Sequence, residues 1–458
     1  MTQSAPDNPS VQPTATPFLI ELQDHNICVR SQYEVIARSP GFANIVGAVP
    51  VFGEAARSQA RQHPRHSFNN FWSQLSLDPL NIKNRHFRHT ADLAYSHLNS
   101  LTKDLSMEHG AVLAVPANYT RAQLAVLLGV AKQWAFATVG LVDLALLQAA
   151  GAIDANSSDS IVIDLQLHQT VLSSFRKIDG HLVKDRVVQI PFAGLLALQD
   201  AWLNMITDEF IRQSRFDPQR DAESEQYIVN QLGKLLTSSH NHNELLLEIN
   251  LKGTVHQAHL TFSQFEQKAL PIFERINQEL DALRNPATAL HVASAHVNLP
   301  GLTRAIPGLV ALDDEHAVAA CLRYLAHIRR APDSLQLITR LPLAPAAAPG
   351  NIPTLTRVPT HVLFQHKAHV LPMGRLTIGA AAAALESARV MPLTIGGFSG
   401  AVALVRSNRG LQLELHTAAP VLVNGHSVQN GQTLVMGDTL QLGTNGAVLQ
   451  LIVVEHTT

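Results

Sequence analysis

The stretch at 115–150, VPANYTRAQLAVLLGVAKQWAFATVGLVDLALLQAA, decides how the first two thirds of the chain read. Its first valine closes a short apolar run, AVLAV at 111–115, which stops at Pro116, a residue with no backbone N–H to continue a strand ladder. Thr120 stands where a helix N-cap is wanted, with a side-chain oxygen to accept from an early amide of RAQLAVLLGVAKQ. TVGLV at 138–142 is a second short strand, and Asp143 ends it ahead of the Ala-rich LALLQAA. Strand, helix, strand and helix in this order predict an α/β layer.

The pattern continues on both sides. FLIELQDHNICVR at 18–30 alternates as a strand does, 53–75 reads as helical, and 90–105 places Leu93, Ala94, Leu98, Leu101 and Leu105 near a 3.6-residue period. Downstream, 160–175 is a strand signal, and IDG at 178–180 is a hairpin turn signal before HLVKDRVVQIPF. Helical periods cover 195–215 and 222–236, strand alternation covers 244–251 and 253–260, and 290–293 is a short apolar strand. A helix is expected over 261–283, with Thr261 as its cap and Phe265, Leu270, Phe273, Ile276 and Leu280 on one side; another covers 314–328. At 341 the text changes to LPLAPAAAPGNIP, so 341–355 reads as a Pro/Ala linker. Residues 356–458 then read as a small all-β domain, with short β-type runs and Asn-Gly turns at 424–425, 430–431 and 445–446. No repeat longer than these turn signals is visible.

Length and charge bound the function. At roughly 150 residues per domain, 458 residues predict two to four domains. With 46% hydrophobic and 15% charged residues, the chain is not of the disordered class. Lys+Arg is 34 against Asp+Glu 36, which gives no electrostatic footprint for nucleic acid or an anionic membrane. No apolar run reaches the roughly 18 residues a membrane span needs, so no membrane insertion is expected. Cys28 and Cys321 are too few for a disulfide framework or a four-Cys zinc site and read as buried thiols. Residues 1–17 are polar with four prolines and read as a disordered tail, not a signal peptide. A cytoplasmic protein is expected. His240 and His242 have a metal-ligand spacing but stand in a polar loop and read as solvated.

The 115–150 stretch resembles the DnaK-type heat-shock chaperones of the actin-like ATPase superfamily. GEAARSQARQHP at 53–64, IVIDLQLHQT at 161–170, LLTSSHNHNELLLEINLKG at 235–253 and HVASAHVNLPGLTRAI at 291–306 extend the resemblance in order, over about residues 18–330. It implies a two-lobed actin-like domain over 18–340, with a nucleotide cleft between two phosphate-binding turns.

The chemistry of that cleft looks removed. Such turns need glycines and hydroxyls so that backbone N–H groups can reach phosphate oxygens. The first turn is Asp-Gly-Thr-Thr in the family and here matches Glu21, Leu22, Gln23 and Asp24. The second, Asp-Leu-Gly-Gly-Gly-Thr, keeps Asp164 and Leu165 but replaces glycines with Gln166, Leu167 and His168. The family's phosphate-contacting Lys falls near Trp72, and the acidic residue ending the connecting strand matches Asp143. The Gly-Gly-Ser adenosine loop becomes Ala293, Ser294, Ala295 and His296. The resemblance therefore implies a relict cleft with no cofactor, in which Glu21, Asp143 and Asp164 are solvated or hydrogen-bonded.

The last domain resembles a forkhead-associated (FHA) domain, a β-sandwich that reads phosphothreonine peptides. LPMGRLTIG at 371–379 matches its opening strand and VLVNGHSVQNGQTLVMGDTLQLG at 421–443 its closing hairpins. Phosphate reading needs an Arg after Ile-Gly and a Ser three residues before a His. Here Ala380 follows Ile378-Gly379, Ser399 remains, and Val402 takes the place of the His; Arg375 lies one strand turn earlier. The resulting expectation is a non-catalytic scaffold or assembly protein whose partners are other proteins of a bacterial complex. The alternatives are an ATP- and Mg²⁺-using chaperone-like protein with altered phosphate loops, or a phosphothreonine-reading adaptor.

Overall fold

The computed structural model describes residues 16–343 and 359–452, except 33, 47–48, 81–83, 85, 106–109, 135, 153–158, 240–243, 252, 332–333, 365–366, 372–373, 379–400, 408–409, 418–419, 425, 429 and 444–447. The expected tail lies almost wholly outside these residues, as do His240, His242, Ala380, Ser399 and most of the expected linker. The chain divides into two compact units, Met1–Ala346 and Ala347–Thr458. Among the described residues the first is mixed α/β and the second is all-β.

The first unit opens with an antiparallel meander of β1 (Phe18–Gln23), β2 (Asn26–Ser31) and β3 (Glu34–Ser39). A small sheet of β4 (Ala43–Asn44), β5 (Val51–Phe52) and β6 (Ser67–Phe68) follows, with helices α1 (Glu54–Arg57) and α2 (Thr90–Thr102). β7 (Ala111–Val115) returns in parallel beside β1, α3 (Arg121–Gln133) crosses over, and β8 (Thr138–Asp143) lies parallel to β7. All five residues of β7 and all six of β8 are buried, as an apolar strand with both faces covered must be.

After α4 (Leu144–Ala152) the plan is repeated. β9 (Asp159–Leu165), β10 (Gln169–Ile178) and β11 (His181–Pro191) make a second antiparallel meander. Next come α5 (Leu195–Ser214), α6 (Ala222–Ser239), the hairpin β12 (Glu244–Leu251) and β13 (Thr254–Thr261), and α7 (Phe262–Asp281). β14 (Ala289–Ala293) runs parallel to β9; α8 (Ser294–Val297) and α9 (Leu302–Ala305) lead to β15 (Leu309–Leu312), parallel to β14. α10 (Glu315–Arg323) and α11 (Leu325–Ile328) precede β16 (Leu337–Ile338) on β8 and β17 (Arg340–Pro342) on β11. From the outer meander strand, the sheets run β3-β2-β1-β7-β8 and β11-β10-β9-β14-β15. Strand by strand, order and sense are the same.

Thr120 caps α3, its side chain accepting from Gln123 N–H while Gln123 reaches back, and at the start of α7 Gln264 Oε1 accepts the Thr261 N–H at 2.7 Å. Three expectations are corrected. The helix over 53–75 is only the four residues of α1, because GEAARSQARQHPRH has no apolar stripe to bury. The 160–175 signal is two strands, β9 and β10, parted at 166–168. The Pro/Ala linker begins later, since Leu341 is buried in β17. Among the described residues no helix is long and apolar enough to cross a membrane.

The second unit has two antiparallel sheets. Its strands are β18 (His361–Phe364), β19 (Lys367–Val370), β20 (Gly374–Ile378), β21 (Val402–Ser407), β22 (Gly410–Leu415), β23 (Val421–Val423), β24 (His426–Ser427), β25 (Gln432–Leu434), β26 (Thr439–Leu442) and β27 (Val448–Ile452). They are ordered β19-β18-β27-β26-β23-β24 and β20-β21-β22-β25. Val362, Leu376, Ile378, Val402, Leu404, Leu413, Leu440 and Leu449 form one core from both sheets, which makes a β-sandwich.

Candidate functional site: the seam between two turns

The β1–β2 turn and the β9–β10 turn occupy equivalent places in the two sheets of the first unit, and the structure joins them. Asp24 of the first accepts the backbone N–H of Leu167 in the second at 2.9 Å through Oδ1. Gln23 donates to Asp164 Oδ1 at 3.2 Å, and Gln166 donates to Asp164 Oδ2 at 2.8 Å. Gln166 also exchanges hydrogen bonds with Asn118, at 3.2 and 3.5 Å, and accepts from Gln169 at 3.1 Å. The Leu167 side chain is buried against Phe42 and Ala56. His168 meets the Asn69 carbonyl at 3.2 Å.

The second turn is also fixed from behind. The carbonyls of Gln166 and Leu167 accept the N–H groups of Leu195 and Leu196, each at 2.9 Å, at the start of α5. The preceding residue must be Gly194: a Cβ there would lie 2.4 Å from Gln169 N, 2.5 Å from Gln166 O and 2.6 Å from Leu167 O.

The cleft carboxylates differ in their company. Glu21 pairs with Arg30 at 3.3 Å, and Arg30 also reaches Asp314 at 3.4 Å, which Arg38 contacts too. Asp143, at the end of β8, is fully buried and pairs with Lys184 of β11 at 2.6 Å while accepting from Leu146 N–H at 3.1 Å. Burial pushes both carboxyls up, and Arg30 and Lys184 pull against it. Among the described residues Asp24 and Asp164 have amide donors only; burial pushes them up to about 7 and about 6. The ring centroids of His25 and His296 lie 4.8 Å apart, and burial pushes both down, His296 to about 4. Ser294, half-buried, begins α8.

Further along the same seam, residues 57–61 are strapped to α6. Arg61 N–H donates to Gln226 Oε1 at 2.7 Å, and Gln226 donates to the Arg57 carbonyl at 3.2 Å. Asn230 donates to the Ser58 carbonyl at 3.3 Å, and the Arg61 guanidinium meets Asp200 and, at 3.3 Å, Glu225.

Trp72, in the place matched to a phosphate-binding Lys, is a core residue. Its indole N–H donates to His97 Nδ1 at 3.1 Å, and its carbonyl accepts from Tyr119 at 2.8 Å. Since Nδ1 of His97 accepts, the proton sits on Nε2 and points at Ser39 Oγ, 2.7 Å away. His97 is therefore no base for Ser39, and burial pushes it down to about 3. Among the described residues no group of three or more His, Cys, Asp and Glu side chains is placed to hold a metal ion.

The structure brings Glu21, Gln23, Asp24, Asp143, Asp164, Gln166, His168 and His296 to this one region. Sequence reasoning missed His25, Arg30, Asn118, Lys184 and Gly194. Lys184 stands in the alternating HLVKDRVV, where a lysine looks like any solvated strand charge. In the second unit Val402 is fully buried in β21, and Arg375 lies in β20 opposite Val405. No protein-family model matches the chain, and no curated protein matches it.

Proposed function

We propose that the chain is a non-catalytic scaffold or assembly protein, built on a degenerate DnaK-type, actin-like domain and a degenerate FHA-like sandwich. One observation carries this reading: the 2.9 Å hydrogen bond from Leu167 N–H to Asp24. A side-chain carboxyl of the chain itself takes the backbone donor that a nucleotide phosphate would need. The residues present do not fit nucleotide. Leu167 is buried against Phe42 and Ala56, Arg30 and Lys184 are engaged by Glu21 and Asp143, and Asp24 already occupies the Leu167 N–H. The matching strand orders of the two sheets support the actin-like part, and the two antiparallel sheets around one core support the FHA-like part. Function then belongs to surfaces, and the partners are other proteins of a complex.

Thermal unfolding with millimolar Mg-ATP tests this reading. A ligand at 100 times its Kd that binds only the native state adds about 2.7 kcal/mol. No shift is expected. A clear upward shift, confirmed by calorimetry, would replace the scaffold with an ATP-binding chaperone-like protein.

A further inference from the structure

Of the four carboxylates in the cleft, two face a cation and two do not. Asp24 is 3% exposed, and its Oδ2 has no hydrogen-bond partner among the described residues. Its Oδ1 is held by Leu167 N–H across the seam. The titratable groups around it are Asp164 of β9, Tyr119 ahead of α3, His25 in its own turn and His296 of α8, packed on His25. Beyond His296 stands Asp314 with Arg30 and Arg38. None of these supplies Asp24 with a positive charge: the imidazoles are neutral, and both guanidiniums are engaged by Glu21 and Asp314. An ionised carboxylate with a bare buried oxygen is costly there. A neutral carboxyl keeps the Leu167 bond on one oxygen and a proton on the other.

We propose that Asp24 is a proton-binding site of the closed seam: its carboxyl is neutral while the two turns are joined, and separating the turns releases the proton. This site is independent of the scaffold role, and a nucleotide-binding result would not decide it.

Burial raises Asp24 to about 7, with the Asp164 charge adding and the Leu167 and His25 amides opposing. Once the turns part, the ordinary Asp value of about 3.9 applies. The joined state therefore holds the extra proton between about pH 4 and 7; its advantage falls as pH rises through that window and is level above it. His25 and His296 act in reverse. They are neutral when joined and free to protonate when apart, so acid below about pH 6.5 favours separation. Asp24 is therefore read by difference from a variant that lacks its carboxyl.

The experiment uses the full chain labelled with ¹³C at the Asp carboxyls, titrated by NMR. One carboxyl is expected to titrate near pH 7 and to be absent from Asp24→Asn, whose amide oxygen still accepts Leu167 N–H. Hydrogen exchange over 163–172 gives the linkage, after correction for intrinsic rates. The ratio of opening in the wild type to opening in Asp24→Asn should rise about tenfold per pH unit from about 5 to 7, then level. If Asp24→Asn does not fold, Asp164→Asn serves instead: losing the like charge should move the Asp24 signal to lower pH. A signal assigned to Asp24 by its loss in Asp24→Asn that titrates below about pH 5, or an opening ratio independent of pH, would overturn the proposal.

Discussion

Lys184→Met is expected to lower the stability of the first unit by about 3–5 kcal/mol, the cost of breaking a buried ion pair from one side. Methionine keeps the apolar stem and removes the charge. Asp143, fully buried at the end of β8, then keeps only backbone donors such as Leu146 N–H. The loss should shrink as pH falls from 8 to 5, because an unpaired buried carboxyl escapes its penalty by taking a proton. The double variant Asp143→Leu/Lys184→Met should recover most of the loss, since an apolar pair of similar volume leaves no buried charge. Urea midpoints measure all three. A single-variant loss below about 1 kcal/mol would mean that the pair is screened as a surface pair is.

Gly194→Ala should cost about 3 kcal/mol or more, at the upper end of overpacking. The three atoms its Cβ would meet, at 2.4, 2.5 and 2.6 Å, are all backbone of the second turn, and none can swing aside as a side chain could. The turn must shift, which strains the Leu195 and Leu196 hydrogen bonds and the seat of Leu167 between Phe42 and Ala56. Gly129→Ala is the control. That glycine lies inside α3 with nothing within 4 Å of a new Cβ, so the change should stabilise by up to about 1 kcal/mol. Equal thermal stability of Gly194→Ala and wild type would contradict the close approach.

Much of the fold was legible because it depends on local chemistry. AVLAV, TVGLV and the caps Thr120 and Thr261 fix elements through burial and hydrogen bonds that a short window contains. The turn at Asp179 and Gly180, with φ of 48° and 70°, is of the same kind. The doubled strand order was invisible, because an order is set by crossover connections and buried faces that many unlike sequences satisfy. In the site, positions were legible and partners were not. The sequence places Asp143 at a strand end but cannot say that Lys184, 41 residues on, sits 2.6 Å away. Nor does it distinguish Leu167 as a side chain packed across the seam from one pointing into an open cleft.

Hydrogen exchange at the Leu167 amide tests most directly the claim that the chain's own groups close the cleft. The account predicts exchange as slow as that of the core strands β7 and β9, with the same rate in the absence and presence of millimolar Mg-ATP. A fast-exchanging Leu167 amide that Mg-ATP slows would contradict it.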